Sequence, residues 1–283
     1  MTMDPAAIRA QEIERWNFVA TGWKTWWDVI EVWSQPVSDR LVEVAGVGPG
    51  DTVLDIATGG GEPALTAARR VGPSGRIVAT DQSSAMMRIA AERAAAHGLD
   101  NIEFRETGAE TLSLPGETYD AALCRWGLMF MPEPAAALER IHAHLKEGAR
   151  FAASAWGAPE EVPMISTGGE LIRSLLPPPI DPDIGPSRFA EAGILEGLLS
   201  AAGFEDIRGE SITVTAEFPD IADFIRYRQQ ISTQDWALRQ NHPPEKVAET
   251  WKAVAEEAAA FAGPDGRVKL ENLALIASGR RAG

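Results

Sequence analysis

Three consecutive glycines, Gly59, Gly60 and Gly61, stand directly after the short apolar run Thr52–Ala57 and before a stretch of helical spacing, Glu62–Val71. A strand that ends on glycine and re-enters as a helix opens a strand–helix–strand unit. Without a Cβ the backbone can turn tightly there and let the helix fold back onto the strand. The residues downstream repeat the alternation. Arg76–Thr80 reads as a second strand, and Ser83 caps a helix that runs to His97 and is stopped by Gly98. Asn101–Arg105, Ala121–Arg125 and Arg150–Trp156 read as three further strands, with a helix over Pro134–Lys146 between the last two. The expectation is an α/β fold built on a doubly wound, mostly parallel sheet with helices on both faces.

The flanks complete this plan. Residues 1–35 read as an aromatic-rich helical lid, residues 36–157 as the ligand-binding core, and residues 158–283 as completion of the sheet within the same domain. In that last part, five prolines over Pro177–Pro186 forbid a regular element and mark a loop. Glu191–Ala202 is a helix stopped by Gly203, and Ile207–Phe218 and Leu270–Ser278 are the sixth and seventh strands. Between them Val247, Trp251, Val254, Ala258 and Phe261 fall at helical spacing, so 219–263 is expected to form a helical cap.

Composition excludes several classes of function. The 283 residues carry 26 Lys+Arg against 41 Asp+Glu, a formal charge of −15, and phosphate backbones are bound by basic surfaces rather than acidic ones. A nucleic-acid partner is therefore not expected. The single Cys124, inside Ala121–Cys124, reads as a small buried hydrophobe and has no internal disulfide partner. The first residues lack a basic segment followed by an apolar one, and no apolar run approaches the ~18 residues of a membrane span. The expectation is a cytoplasmic protein without a membrane span, its oligomeric state open.

The segment Val53–Glu62 points to the ligand. In a dinucleotide fingerprint G-x-G-x-x-G the glycine positions would be Ala57, Gly59 and Glu62, and a carboxylate at the third would repel a pyrophosphate. An acid at the strand end followed by glycines suits a ligand with a cationic amino-acid part and no phosphate, such as S-adenosylmethionine. Gly59 and Gly61 let backbone approach its ribose and methionine carbons, and Asp55 is placed to accept from its ammonium. Asp81 ends the second strand 20 residues after Gly61, where a carboxylate accepts both ribose hydroxyls.

With these residues the chain resembles the class I SAM-dependent methyltransferases, and most of all the branch of ubiquinone and menaquinone biosynthesis methyltransferases. The likeness spans about residues 36–157. It rests on Val53–Glu62, on Val78–Ser83, on Leu114–Asp120 with Cys124–Phe130, and on Leu145–Phe151. It implies a Rossmann-like methyltransferase fold with S-adenosylmethionine as cofactor. By resemblance Asp55, Ala57, Gly59 and Gly61 line the methionine and ribose side, Asp81 takes the ribose diol, and Gln82 lies along the adenine. Gly108 and Ala109 meet the adenine edge, and Arg125 and Trp126 sit beneath the sulfonium. Two positions depart from the pattern. Ala57 replaces the first glycine, and Gly108 stands where an Asp accepts from the adenine amino group, a contact of about 1–3 kcal/mol.

The remaining candidates concern the acceptor. Trp23, Trp26 and Trp27 are expected to wall a substrate pocket under the lid. His97, His142 and His144 are poorly placed on their helices, and Glu31, Glu160 and Glu161 have no stronger claim. His242, in the cap, is the weak candidate for a general base. No metal-ligand cluster is visible. The expected function is methyl transfer to a small molecule by in-line displacement. The alternatives are a SAM-binding protein without transferase activity and, less favoured, a nicotinamide-dependent oxidoreductase.

Overall fold

In the computed structural model, residues 4–176 and 184–283 are described; most of the expected proline loop, 177–183, lies outside them, as do residues 1–3. The apolar runs form β1 (Thr52–Ile56), β2 (Arg76–Asp81), β3 (Ile102–Glu106), β4 (Tyr119–Arg125) and β5 (Leu145–Trp156), followed by β6 (Phe204–Phe218) and β7 (Val268–Arg281). They make one seven-stranded sheet in the order β3-β2-β1-β4-β5-β7-β6. The first five strands are parallel, and β7 runs antiparallel to both β5 and β6. β1 has β2 on one side and β4 on the other, so the chain reverses its winding there. In open α/β sheets the crevice beyond the strand ends at such a point is where ligands bind.

The helices are α1 (Pro5–Thr25), α2 (Trp27–Val44), α3 (Ala64–Val71), α4 (Ser84–Ala96), α5 (Pro134–His144), α6 (Pro163–Ser166), α7 (Gly169–Leu175), α8 (Ile194–Ala201), α9 (Ile221–Ile231), α10 (Thr233–Asn241) and α11 (Pro244–Ala258). Local chemistry sets their ends. Asp4 caps α1 by accepting from Ala6 N, and Ser83 caps α4 by accepting from Met86 N. The break between α1 and α2 falls at Trp26, which has left helical geometry at φ −100° and ψ 9°. Pro36 lies inside α2 without stopping it. Its missing N–H would have paired with the carbonyl of Val32, a residue 80% exposed and so open to water. As a result α2 crosses position 35/36, where the lid was expected to end.

Other boundaries also differ from the expectation: β6 starts at Phe204 rather than Ile207, α8 at Ile194 rather than Glu191, and β7 extends to Val268 and Arg281. α3 begins at Ala64 rather than Glu62, because the glycine turn extends through Pro63. β5 begins at Leu145, five residues early. Tyr119 pairs with Leu145 before the register shifts to Ala121 with Arg150, so the polar Lys146–Gly148 lies in an irregular strand instead of a helix end.

The main core lies on both faces of the sheet, with Cys124 fully buried in it. A satellite core of Ile172, Leu238, Val247, Trp251 and Val254 holds α7, α10 and α11 together, and Trp251 Nε1 donates to the buried Asp235 at 2.7 Å. α1, in the expected lid, meets α9, in the expected cap, closely. A Cβ on Gly22 of α1 would fall 1.9 Å from the backbone oxygen of Gln230 in α9, so the two helices touch backbone to backbone. Trp23 Nε1 donates to Ile231 O and Trp26 Nε1 to Gln230 Oε1, which fastens the same contact. No helix among the described residues is long and apolar enough to cross a membrane.

Candidate active site

A cavity of about 1360 Å³ opens at the carboxyl ends of β1, β2, β4 and β5, roofed by α1 and the cap. A pocket for one ligand has ~300–1,000 Å³, so this one has room for two molecules side by side.

The floor is built from strand ends. Asp81, at the end of β2, is partly buried. Its Oδ2 accepts from Gly59 N at 2.9 Å and its Oδ1 from Ser83 N at 2.8 Å, so one carboxylate ties the glycine turn to the start of α4. Burial pushes its pKa up and those N–H groups oppose the shift. Gln82, Gly108 and Ala109 continue the wall from there. Ala57 also lines it with φ +54°, a left-handed conformation that costs an L-residue about 1–2 kcal/mol. Trp126 has φ +56°, and a Cβ on the neighbouring Gly127 would lie 2.7 Å from the Ala57 Cβ. Strained backbone thus collects where β1 and β4 end.

Over the turn lies Trp27, whose ring carbon would be 2.6 Å from a Cβ on Gly60. Arg93 stacks on that ring at 3.6 Å, donates to Gly60 O at 2.7 Å, and pairs with Glu31 at 3.1 Å. Trp27 of α2 therefore keeps Gly60 without a side chain, and Arg93 clamps the turn.

Arg125 ends β4 and is buried. Its Nη1 donates to Ser34 Oγ and Ser38 Oγ, both at 2.9 Å, and no carboxylate among the described residues lies within 4.0 Å of it. Burial lowers its pKa, with Glu62, Asp55 and Glu31 pulling it back up. Beside it Trp126 stacks on Trp156 at 4.2 Å and 12°, and Trp33 closes the group at 5.6 and 6.0 Å from the two rings. With Trp16, Trp23 and Trp27 these rings make much of the cavity wall aromatic.

Of the residues singled out in the sequence, Ala57, Gly59, Asp81, Gln82, Gly108, Ala109, Arg125, Trp126, Trp23 and Trp27 meet around this one space. Four others lie outside its lining. Asp55 is fully buried behind the turn, where Oδ2 accepts from Ala64 N at 3.1 Å and holds the start of α3. Burial pushes its pKa up to about 7, against the pull of Arg125. Gly61 faces α4: a Cβ there would be 2.4 Å from Leu65 and 3.4 Å from Ala90. Trp26 turns to Tyr227 and Arg226 of α9. His242 Nε2 lies 2.6 Å from Leu175 O and donates to it, joining α10 to α7.

No histidine lines the cavity among the described residues, nor do Glu31, Glu160 or Glu161; its carboxylates are Glu12, Glu62, Asp81 and Glu110. Glu110, near the expected adenine edge, already accepts from Glu133 N at 2.8 Å. Glu12, buried in α1 and paired with Arg15 at 2.6 Å, was not singled out in the sequence, nor were Trp156 and Arg228. Trp156 had a legible signal, since it ends a strand at the ligand-binding edge. Among the described residues no group of three or more His, Cys, Asp or Glu is arranged to hold a metal ion.

Residues 53–148 match the family model described as "Methyltransferase domain". The match covers about a third of the chain, and with the sheet order and the acid–glycine turn it makes this part of the chain similar to class I SAM-dependent methyltransferase domains. Its sequence is close to the ubiquinone/menaquinone branch. It is 36% identical over 113 residues to the ubiquinone/menaquinone biosynthesis C-methyltransferase UbiE of Hydrogenovibrio crunogenus, a match covering 40% of this chain and 44% of that protein. The chain thus spans less than half the length of that relative. Among solved structures it superposes on the YcgJ protein of Bacillus subtilis with a TM-score of 0.58 at 18% identity, covering 88% of this chain and 99% of that one. The [4+2]-cyclase SpnF superposes at 0.56 and 21%, covering 88% and 82%. The shared sheet therefore accommodates more than one chemistry, and function has to be argued from the site.

Proposed function

We propose that the chain transfers a methyl group from S-adenosylmethionine to a small-molecule acceptor held in the aromatic part of the cavity. The observation that carries this reading is the Asp81 carboxylate, held against the glycine turn by Gly59 N at the edge of a cavity large enough for two molecules. The residues present fit an adenosyl group. Asp81 offers acceptor oxygens for a ribose diol, and Gly60 is kept bare beneath Trp27. At Gly108 a side chain would meet Gln82 and Thr111 no closer than 3.5 Å, so the adenine edge is roomy rather than blocked.

When bound, S-adenosylmethionine supplies a methyl carbon already activated by a sulfonium. Binding and orientation are the work of this chain. Arg125 was expected beneath the sulfonium, but two cations side by side repel, and its Nε and Nη2 suit the methionine carboxylate better. Trp33, Trp126 and Trp156 exclude water and present flat faces to an acceptor. Holding nucleophile and methyl in line is worth effective molarities of ~10⁵–10⁸ M, which makes positioning the main catalytic contribution of such a wall. The C-methylation named for the UbiE relatives is one acceptor chemistry within this reading.

The test is turnover. Purified protein, tritiated S-adenosylmethionine and pooled phenols, amines, thiols and quinols are incubated, and transfer of label to an organic product is measured. Labelled product supports the proposal. Adenosyl binding with no product from any pool favours a SAM-binding protein without transferase activity.

A further inference from the structure

The cap contributes to the cavity a wall of different chemistry from the floor. From Pro159 onward its described lining includes Arg173, Arg188 and Arg228 and no carboxylate, in a chain of net charge −15. Arg228 of α9 is the decisive residue. It is 4% exposed, and its Nη1 donates to the carbonyls of Met164 at 2.5 Å and Thr167 at 3.2 Å. No carboxylate among the described residues comes within 4.0 Å of it. Its Nε and Nη2 make no hydrogen bond within the described protein, yet they are not sealed off as the buried orphan atoms are, so this edge of the guanidinium is open to the cavity it lines.

A buried guanidinium with no carboxylate in ion-pair contact is expensive unless a ligand completes it. The Nε/Nη2 edge is a planar fork that matches the two oxygens of a carboxylate. Tyr227, Ile231 and Met164 line the same part of the cavity, and the carboxylate that acts on Arg228, Glu257, stays beyond 4.0 Å of it and accepts from Gly168 N. Arg125 presents a second such fork at the floor, which the reading above gives to the methionine carboxylate. One fork remains for the acceptor.

We infer that the acceptor carries a carboxylate, bound bidentately by Arg228, beside a flat apolar body that lies on the tryptophan wall. The inference rests on the methyl-transfer reading for the word acceptor, but the site itself is testable by binding alone. Protein saturated with S-adenosylhomocysteine is titrated calorimetrically with indole-3-acetate and indole-3-acetamide, and with 4-hydroxycinnamate and its amide. Each acid should bind at least tenfold tighter than its amide. Arg228→Gln should abolish that preference and leave S-adenosylhomocysteine affinity unchanged. If Arg228→Gln fails to fold, Arg228→Lys keeps a cation for the Met164 and Thr167 carbonyls but not the fork, and should reduce the preference at least fivefold with melting near that of the parent.

Equal affinity for acids and amides, no binding of either acid, or a preference that survives both variants overturns the assignment. Phenyl phosphate binding more tightly than both acids overturns the carboxylate in favour of a phosphate. Failure of S-adenosylhomocysteine to bind the parent protein counts against the cofactor reading instead. The acid and amide titrations are then run without it and judge Arg228 on the same criteria.

Discussion

Asp81→Asn is the substitution that separates a ribose site from a merely structural acid. The carboxylate accepts from Gly59 N and Ser83 N, so an amide puts an NH₂ against one of those donors and leaves one oxygen for the other. Side-chain shape is kept, which limits disturbance of the turn. Toward an adenosyl ligand the change removes one charge-assisted hydrogen bond, worth about 1.5–3 kcal/mol. At about 1.4 kcal/mol per tenfold, affinity for S-adenosylhomocysteine should fall roughly 10- to 150-fold. The assay is isothermal titration of parent and variant at 25 °C, with thermal melting of both to verify folding. A folded variant with unchanged affinity would refute the ribose assignment, and with it the argument that the end of β2 faces a sugar.

Gly108→Asp should restore an acceptor at the adenine edge; the position has φ −82° and room for a side chain, so the variant should fold and bind S-adenosylhomocysteine about 5- to 150-fold more tightly, by ~1–3 kcal/mol. Looser binding on titration would mean that adenine does not lie there. Asp55, with its pKa raised by burial from 3.8 to about 7, keeps a proton that the unfolded chain has released. Its contribution to stability is therefore present below about pH 4 and is lost as pH rises toward 7, at up to about 1.4 kcal/mol per pH unit. Asp55→Asn retains an acceptor for Ala64 N and should flatten that part of the pH profile in urea unfolding; an unaltered profile contradicts the burial argument. Gly22→Ala drives a methyl against the Gln230 backbone, so it should cost about 1–3 kcal/mol in thermal or urea unfolding and loosen the lid over the cavity; parent-like stability would show that α1 and α9 are not in backbone contact.

The seven strands and the glycine turn were legible because each carries a local signal: apolar runs of strand length, Gly59–Gly61 at a strand end, and a Ser83 cap. The satellite core of the cap was half legible, since Val247, Trp251 and Val254 have helical spacing, while their partners Ile172 and Leu238 come from elsewhere in the chain. What was not legible depends on contacts distant in sequence. Trp23, Trp26 and Trp27 are adjacent in the chain, yet the bend at Trp26 sends its ring to α9 and the other two to the cavity. Asp55 and Asp81 both sit at strand ends, but the turn folds over Asp55 and leaves Asp81 at the wall. His242 had a plausible position in the cap, and its bond to Leu175 O gives it a structural partner that no local pattern announces. Arg228 has no motif around it. Its significance comes from the lack of a directly paired carboxylate, which only the assembled cavity reveals.

The central claim is that the wall formed by Gly59, Asp81 and Arg125 holds an adenosyl cofactor. Calorimetric titration of the purified chain with S-adenosylmethionine and S-adenosylhomocysteine, with NAD and NADP alongside, tests it most directly. The account predicts micromolar binding of the two adenosyl compounds, about −8 kcal/mol, and none of the nicotinamides. Binding of NAD or NADP without either adenosyl compound would contradict it.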